Sequence, residues 1–283
     1  MYLVIFHYLC TLNSQDVKVR EVLCALERFA PLPLQESYDN AGLQLGLTET
    51  EVSGALLCID VTEAVVAEAA AAGCNLIVSH HPLIFRPLRR IAGENDVQRA
   101  VIAAIKKDIA VVSMHTNMDN ACGGVNFRMA EKMGLQATAF FGEGKCATAA
   151  DGTEVRGGSG VIGALPEPMA ADDFTKMLKS VFDVECVQAN QLLRRSIERV
   201  AVCGGAGSFL LGDAVRAGAD AFVTGEMRYH EYFGHEQEIQ IAVIGHYQSE
   251  RFTNEIFREI IGMECPGVRT VMSRVCTNPI LYF

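Results

Sequence analysis

The chain predicts a duplicated α/β protein, two similar three-layer α/β/α lobes, and three observations carry the prediction. First, the sequence repeats itself. Displaced by 145 positions, it sets Cys58 on Cys203, Ala69 on Ala214, Gly73 on Gly218 and Val78 on Val223 without a gap, with Asn75 on Asp220 and Ser79 on Thr224. Second, at an offset of 131, Val112 falls on Val243, His115 on His246 and Asp119 on Glu250. Third, short apolar runs alternate with segments of helical periodicity, which implies mostly parallel sheets covered by helices.

Val19, Val22, Leu23, Leu26 and Phe29 share one helical face, and Pro31 and Pro33 end that helix. A loop over 36–46 follows. Then come a strand at 55–59, a helix at 63–72, a strand at 76–78, a helix at 97–106 and a strand at 109–114. Gly123-Gly124 opens a further helix to Met133. Residues 141–158 are small and polar without clear periodicity and read as a linker between a first lobe, 15–140, and a second, 159–283. The second lobe runs strand 161–165, helix 171–181, strands 184–189 and 199–203, helix 209–217, strand 221–224 and helix 227–235. Strand 239–244, helix 248–261 and a last strand at 270–276 complete it. Residues 1–14 stay unassigned: Met1 to Leu12 is apolar but lacks a basic start and an Ala-x-Ala site and is too short to span a bilayer.

Lys and Arg number 24 against 34 Asp and Glu, a net charge of −10, which argues against a nucleic acid or an anionic membrane as the main partner. No two of the 10 cysteines form Cys-x-x-Cys. Cys24, Cys58, Cys74 and Cys203 lie in apolar runs, where a thiol behaves as a small hydrophobe. Reduced core thiols imply a cytoplasmic protein.

Ser79-His80-His81-Pro82 follows an apolar strand, and ligands of open α/β sheets bind at the carboxyl ends of strands. Adjacent side chains on an extended strand point oppositely. His80 and His81 therefore serve one metal only if the backbone turns there, or two metals from either side. Alone they read as polar loop residues. His246 and Glu250, four apart, share a helix face, and His115 and Asp119 repeat the pattern. Alone each pair reads as a cap or a surface helix; the duplication favours a site. Imidazole with carboxylate is the donor set for Zn²⁺, Fe²⁺ or Mn²⁺. Three imidazoles and two carboxylates, one bridging, fill part of the coordination of two ions and leave positions for water, as hydrolysis requires.

Glu226 and His230 form a third such pair; Glu226 reads equally as a general base, an outer partner of a ligand, or a charged helix face. Asp39 and Asn40 either hold a turn or orient site groups. Gly204-Gly-Ala-Gly-Ser208 sits between a strand and a helix, as a phosphate nest does, though an ordinary turn explains its glycines as well.

These residues resemble the NIF-three-like family, also known as GTP cyclohydrolase 1 type 2 homologues. The likeness rests on 38–46 (YDNAGLQLG), 76–84 (LIVSHHPLI), His115 to Asp119 with Gly123 to Asn126, Val223 to Glu226, and Gly245 to Glu250, and spans the chain from about Val17. It implies a duplicated α/β fold with a dinuclear centre between the halves, held by His80, His81, Asp119, His246 and Glu250, with Glu250 bridging. His115 is not among that family's usual ligands. Tyr38 stands where Trp is frequent, and the ferredoxin-like insert of longer members is missing. Ring-shaped homohexamers are implied too.

The expectation is a metal-dependent hydrolase acting on a nucleotide or phosphorylated small molecule, with Glu226 or His115 moving protons. The cyclohydrolase name would require water to open a guanine ring and release formate. The alternative is a non-catalytic metal-handling or regulatory protein on the same ligands.

Overall fold

The structure is a computed structural model that describes residues 17–149 and 152–282; the N-terminal segment 1–14 lies outside them. In chain order the first elements are α1 (Val19–Phe29), β1 (Gly42–Leu45), β2 (Ala55–Cys58), α2 (Glu63–Ala71), β3 (Leu76–Ser79) and α3 (Asp96–Lys106). Next come β4 (Ala110–Ser113), α4 (Thr116–Asn120), α5 (Val125–Lys132), β5 (Gln136–Thr148), β6 (Glu154–Met169), α6 (Ala171–Phe182) and β7 (Gln188–Ala189). The rest are β8 (Ile197–Cys203), α7 (Leu211–Arg216), β9 (Ala221–Thr224), β10 (Gln240–Val243), α8 (His246–Glu250), α9 (Thr253–Glu264) and β11 (Thr270–Met272).

The strands form two sheets, β1-β4-β3-β2-β11 and β5-β6-β8-β9-β10-β7. Strand alternation sends neighbours to opposite faces, and both faces of each sheet are covered. Leu57, Leu76, Val78 and Val112 meet α1 and α9 on one side of the first sheet, while Leu56, Ile77 and Val111 meet α2 and α3 on the other. In the second sheet Val200, Val202, Val223 and Ala242 pack on Phe174, Leu178 and Phe182 of α6. Ala201, Phe222 and Ile241 pack on Leu211 and Ala214 of α7. Each sheet is therefore the middle of three layers. The repeat is visible in register: Ala55 pairs with Leu76 and Val200 with Ala221.

Several expectations change. Residues 141–158 are no loose linker: most belong to the hairpin β5–β6, which is hydrogen-bonded into the second sheet. Strand periodicity is hidden there because much of β5 is exposed. Glycines in β6 also serve close approach; a Cβ on Gly157 would lie 2.3 Å from the Asn120 carbonyl oxygen. The hairpin and its neighbours make the second sheet antiparallel at both flanks, with parallel pairing at β8-β9-β10.

The lobe boundaries cross as well. β11, from the end of the chain, pairs with β2 of the first sheet, and α9 packs on that sheet too. The helix expected at 227–235 is a single 3-10 turn, Tyr229–Tyr232, with Gly234 at φ 82° just beyond it. The helix expected at 248–261 is split into α8 and α9, and at the break the Thr253 hydroxyl donates to the Glu250 carbonyl (2.7 Å). Strand 184–189 reduces to β7, and residues 42–45 of the expected loop are a strand. Cys58, Cys74 and Cys203 are buried but Cys24 is exposed, and the described cysteines are all free.

Candidate metal centre

The bend after β3 settles how two consecutive histidines can face one place. The Ser79 hydroxyl donates to the His81 carbonyl (2.9 Å) and pairs with the Ser113 hydroxyl on β4 (2.8 Å). With the backbone turned there, the rings of His80 and His81 sit 4.9 Å apart. His115 caps the start of α4, and its ring lies 5.3 Å from both. His246 begins α8 on the other sheet, with its ring 5.3 Å from that of His81.

Each of the four rings is held from outside through Nδ1. His80 Nδ1–H donates to the Met114 carbonyl (3.0 Å), an acceptor that fixes the tautomer. His81 Nδ1 meets Asp60 Oδ1 at 2.7 Å, His115 Nδ1 meets Asp39 Oδ1 at 2.7 Å, and His246 Nδ1 meets Glu226 Oε1 at 2.8 Å. Metal-ligating histidines carry this kind of outer partner, which orients the ring and leaves the second nitrogen's lone pair for the ion.

The inward side is lined by carboxylates. Glu250, on α8, is 3 % exposed. Its Oε2 lies 3.0 Å from Nε2 of both His81 and His246, and its Oε1 lies 3.7 Å from His80 Nε2. Asp119 Oδ1 is also 3.7 Å from His80 Nε2. Three groups of three could each hold a metal ion: His80 with Asp119 and Glu250, His81 with His246 and Glu250, and His80 with His81 and His115. The first two share Glu250 and divide its oxygens between them.

His80 Nε2 tests the fit most directly. It is fully buried and has no hydrogen-bond partner. With Nδ1 already donating, it presents a bare lone pair toward two carboxylates that are too far for a hydrogen bond, and burial lowers its pKa so the ring stays neutral. A buried unsatisfied nitrogen costs free energy; a cation between it and the carboxylates would satisfy all three groups.

Electrostatics around the others follows from their partners. Burial alone would lower the pKa of His81 and His246, but the flanking carboxylates raise them, to about 10 with Asp60 and Glu250 beside His81 and to about 9 with Glu250 and Glu226 beside His246. Burial and the nearby Glu250 push Asp119 up, whereas the surrounding imidazoles outweigh burial at Glu250 and pull it down. Burial would also raise Asp39, yet hydrogen bonds from His115 and Thr116 hold it at about 2.

Asn126 of α5 stitches the halves together. Its amide donates to carbonyls of Asp119 (3.3 Å) and Ser159 (3.0 Å), and its oxygen accepts the Gly204 N–H (2.7 Å). The Gly205 N–H is taken by the buried Ser249 hydroxyl (2.9 Å). The Gly204 and Gly205 amides of the Gly204–Ser208 loop are thus already bonded within the protein and are not open to a phosphate. The glycines serve proximity instead: Gly205 has φ +56°, and a Cβ there would lie 2.2 Å from Glu250 Oε1.

A small cavity of about 100 Å³ touches Asp119, Glu250, His115 and His246, and a cleft of about 640 Å³ opens beside it, sharing Ala206, Phe209 and His246. Tyr38 and Phe85 stand at the His115 side, with Phe85 6.0 Å from the His115 ring.

The sequence-derived residues His80, His81, His115, Asp119, His246 and Glu250 are thus brought together. Glu226 lies outside them, behind His246, and His230 stands apart on the 3-10 turn. Asp60 was missed. Its position two residues past the end of β2, matching that of His81 after β3, was the available signal.

The Duf34/NIF3 (NGG1p interacting factor 3) family model matches residues 17–279. The "GTP cyclohydrolase 1 type 2 homolog" of Clostridium perfringens is 32% identical over 235 residues, 83% of this chain and 87% of that protein. "NIF3-like protein 1" of Drosophila melanogaster is 31% identical over 255 residues, 88% of this chain and 84% of that one. The crystal structure of Staphylococcus aureus hypothetical protein SA1388 is 27% identical, with a TM-score of 0.86 over 95% of this chain and 100% of that chain. On these matches, the chain belongs to the Duf34/NIF3 family.

Proposed function

We propose that the protein binds two divalent metal ions and is a metal-dependent hydrolase acting on a nucleotide or other phosphorylated small molecule. The observation that carries the reading is the division of Glu250: one oxygen faces His80, beside Asp119, and the other faces His81 and His246. His80, Asp119 and Glu250 would hold one ion; His81, His246 and Glu250 would hold the other. Nitrogen and oxygen donors without thiolate suit Zn²⁺, Fe²⁺ or Mn²⁺. Ions in such a centre supply Lewis acidity and lower the pKa of bound water.

The protein's own groups do the rest. Met114, Asp60 and Glu226 hold the outer nitrogens of His80, His81 and His246 and so aim the inner ones. His115, backed by Asp39 and standing at the cavity, is placed to move a proton to or from the reacting group. Glu226, hydrogen-bonded to His246 and 55 % exposed, fits the orienting role better than that of a free base. An open cleft beside the cluster supports an enzyme over a closed, purely structural site. The name of the Clostridium perfringens relative supports a guanine nucleotide as one substrate to try.

Elemental analysis of purified protein should find two metal equivalents per chain, and a screen of nucleotides and phosphoesters with that metal should find turnover. Protein with no metal and no affinity for Zn²⁺, Fe²⁺ or Mn²⁺ would overturn the reading. A homohexamer belongs to the same proposal; sedimentation as a monomer at micromolar concentration would remove it. Among the described residues no helix is long and apolar enough to cross a membrane.

A further inference from the structure

The cleft beside His246 has features that the cluster itself does not explain. It measures about 640 Å³, within the usual range for small-molecule sites, whereas the cavity at Asp119 and Glu250 has about 100 Å³, room for a few waters. Five stretches of chain line it, two of them at Cys186 with Gln188 and at Val243 to His246. Phe209 comes from the 3-10 turn after β8, Arg228 from the loop after β9, and Ile280 and Tyr282 from the C-terminal stretch.

That stretch is bonded to a group at the centre at one end and passes close to it at the other. Thr277 Oγ1 donates to Asp60, the partner of His81. The Tyr282 hydroxyl stands so close to Gly245, the residue before His246, that a Cβ on Gly245 would come within 2.9 Å of it.

The charges in the cleft are unequally committed. Glu226 is bonded to His246 Nδ1 (2.8 Å), and Glu231 accepts the Arg228 backbone N–H (2.7 Å) and the Ser208 hydroxyl (3.3 Å). Arg228 lines the cleft and forms no ion pair among the described residues. Phe209 is 64% exposed and Tyr282 42%, although each lines a concave surface. Exposed aromatic rings lining the same cleft as a guanidinium outside any ion pair match a ligand with a flat ring and a phosphate: rings stack on the aromatic faces, and Arg pairs with phosphate through two parallel N–H donors.

We propose that this cleft is the substrate site and takes a nucleotide-sized aromatic phosphate, with Arg228 on the phosphate and Phe209 and Tyr282 against the ring, presenting the molecule to the centre at His246. The assignment rests on the hydrolase reading for its catalytic meaning, but its binding test does not. Arg228, Phe209 and Tyr282 are exposed side chains, so their truncation leaves the packed layers intact.

The test is isothermal titration of the full chain, its metal content measured, with guanosine and adenosine 5′-monophosphates, guanosine alone and inorganic phosphate. The monophosphates should bind more tightly than guanosine or phosphate. Arg228→Ala should weaken the monophosphates about 10- to 100-fold and leave guanosine unchanged. Tyr282→Ala and Phe209→Ala should weaken monophosphates and guanosine alike, by about tenfold. No binding of any probe, phosphate binding as tightly as the monophosphates, or monophosphate affinity indifferent to all three substitutions would overturn the assignment. Nucleotide binding by protein shown to hold no metal keeps the cleft and discards the metal centre; full metal content without nucleotide binding does the reverse.

Discussion

Asp60 offers a graded test of how the centre is held. Its Oδ1 lies 2.7 Å from His81 Nδ1, its other oxygen accepts from Thr277, and its side chain is 35% exposed, so replacing it should not unfold the first sheet. A hydrogen bond to a charged group contributes about 1.5–3 kcal/mol, a neutral one about 0.5–1.5 kcal/mol. Asp60→Asn keeps an oxygen that can accept from His81 but loses the charge, so about 1–1.5 kcal/mol should be lost, near tenfold in metal affinity. Asp60→Ala removes the acceptor altogether and should lie toward the 100-fold end of the range seen when a ligand's outer partner is removed. Affinity is read by competition with a chelator of known strength, with metal content as a check and melting of each variant as a control on the fold. The order wild type, Asn, Ala is the result expected. Wild-type affinity in Asp60→Ala would refute the idea that Asp60 aims His81, and with it the general argument that the four outer partners shape this centre.

Glu226→Gln should weaken metal binding about tenfold through loss of the charged partner at His246 Nδ1; retention of both metals with a 10²–10⁴ loss of rate would instead make Glu226 a proton-transfer group. Gly205→Ala, at φ +56° and 2.2 Å from Glu250 Oε1, should lower the melting temperature and the metal content together; unchanged values in both would show that the close approach is not required. Asp39, held at about 2 against an ordinary 3.8, contributes stability that is present above about pH 3.8 and lost as pH falls through about 2. Asp39→Asn should therefore flatten the acid limb of a melting-temperature profile in that window, and an unchanged profile would remove Asp39 from the account.

The repeated strand–helix–strand units and the strand ends that carry the chemistry are legible in the amino-acid order, because both follow from local patterns. Apolar runs such as Leu76 to Val78 specify buried strands, and His115 with Asp119 and His246 with Glu250 keep a fixed spacing wherever their lobes lie. Local pattern failed where distant chain decides conformation. β5 and β6 are strands through pairing with each other and β8, not through an apolar period, and β11 leaves its own half to pair with β2. The third pair, Glu226 and His230, looked helical by spacing, but the segment holds only one tight turn and the Glu226 carboxylate is bonded to His246, 20 residues away.

Tertiary structure alone decided the roles around the site. No spacing connects Asp60 to His81, Asp39 to His115 or Asn126 to Gly204; strand pairing within the first sheet sets Asp60 after β2 beside His81 after β3 and brings Asp39 before β1 to His115 after β4, while Asn126 reaches Gly204 at the end of β8 in the second sheet. The same packing buries His80 Nε2 opposite two carboxylates from α4 and α8, so that six ligand-type side chains, unremarkable as isolated polar residues, become one charged cluster.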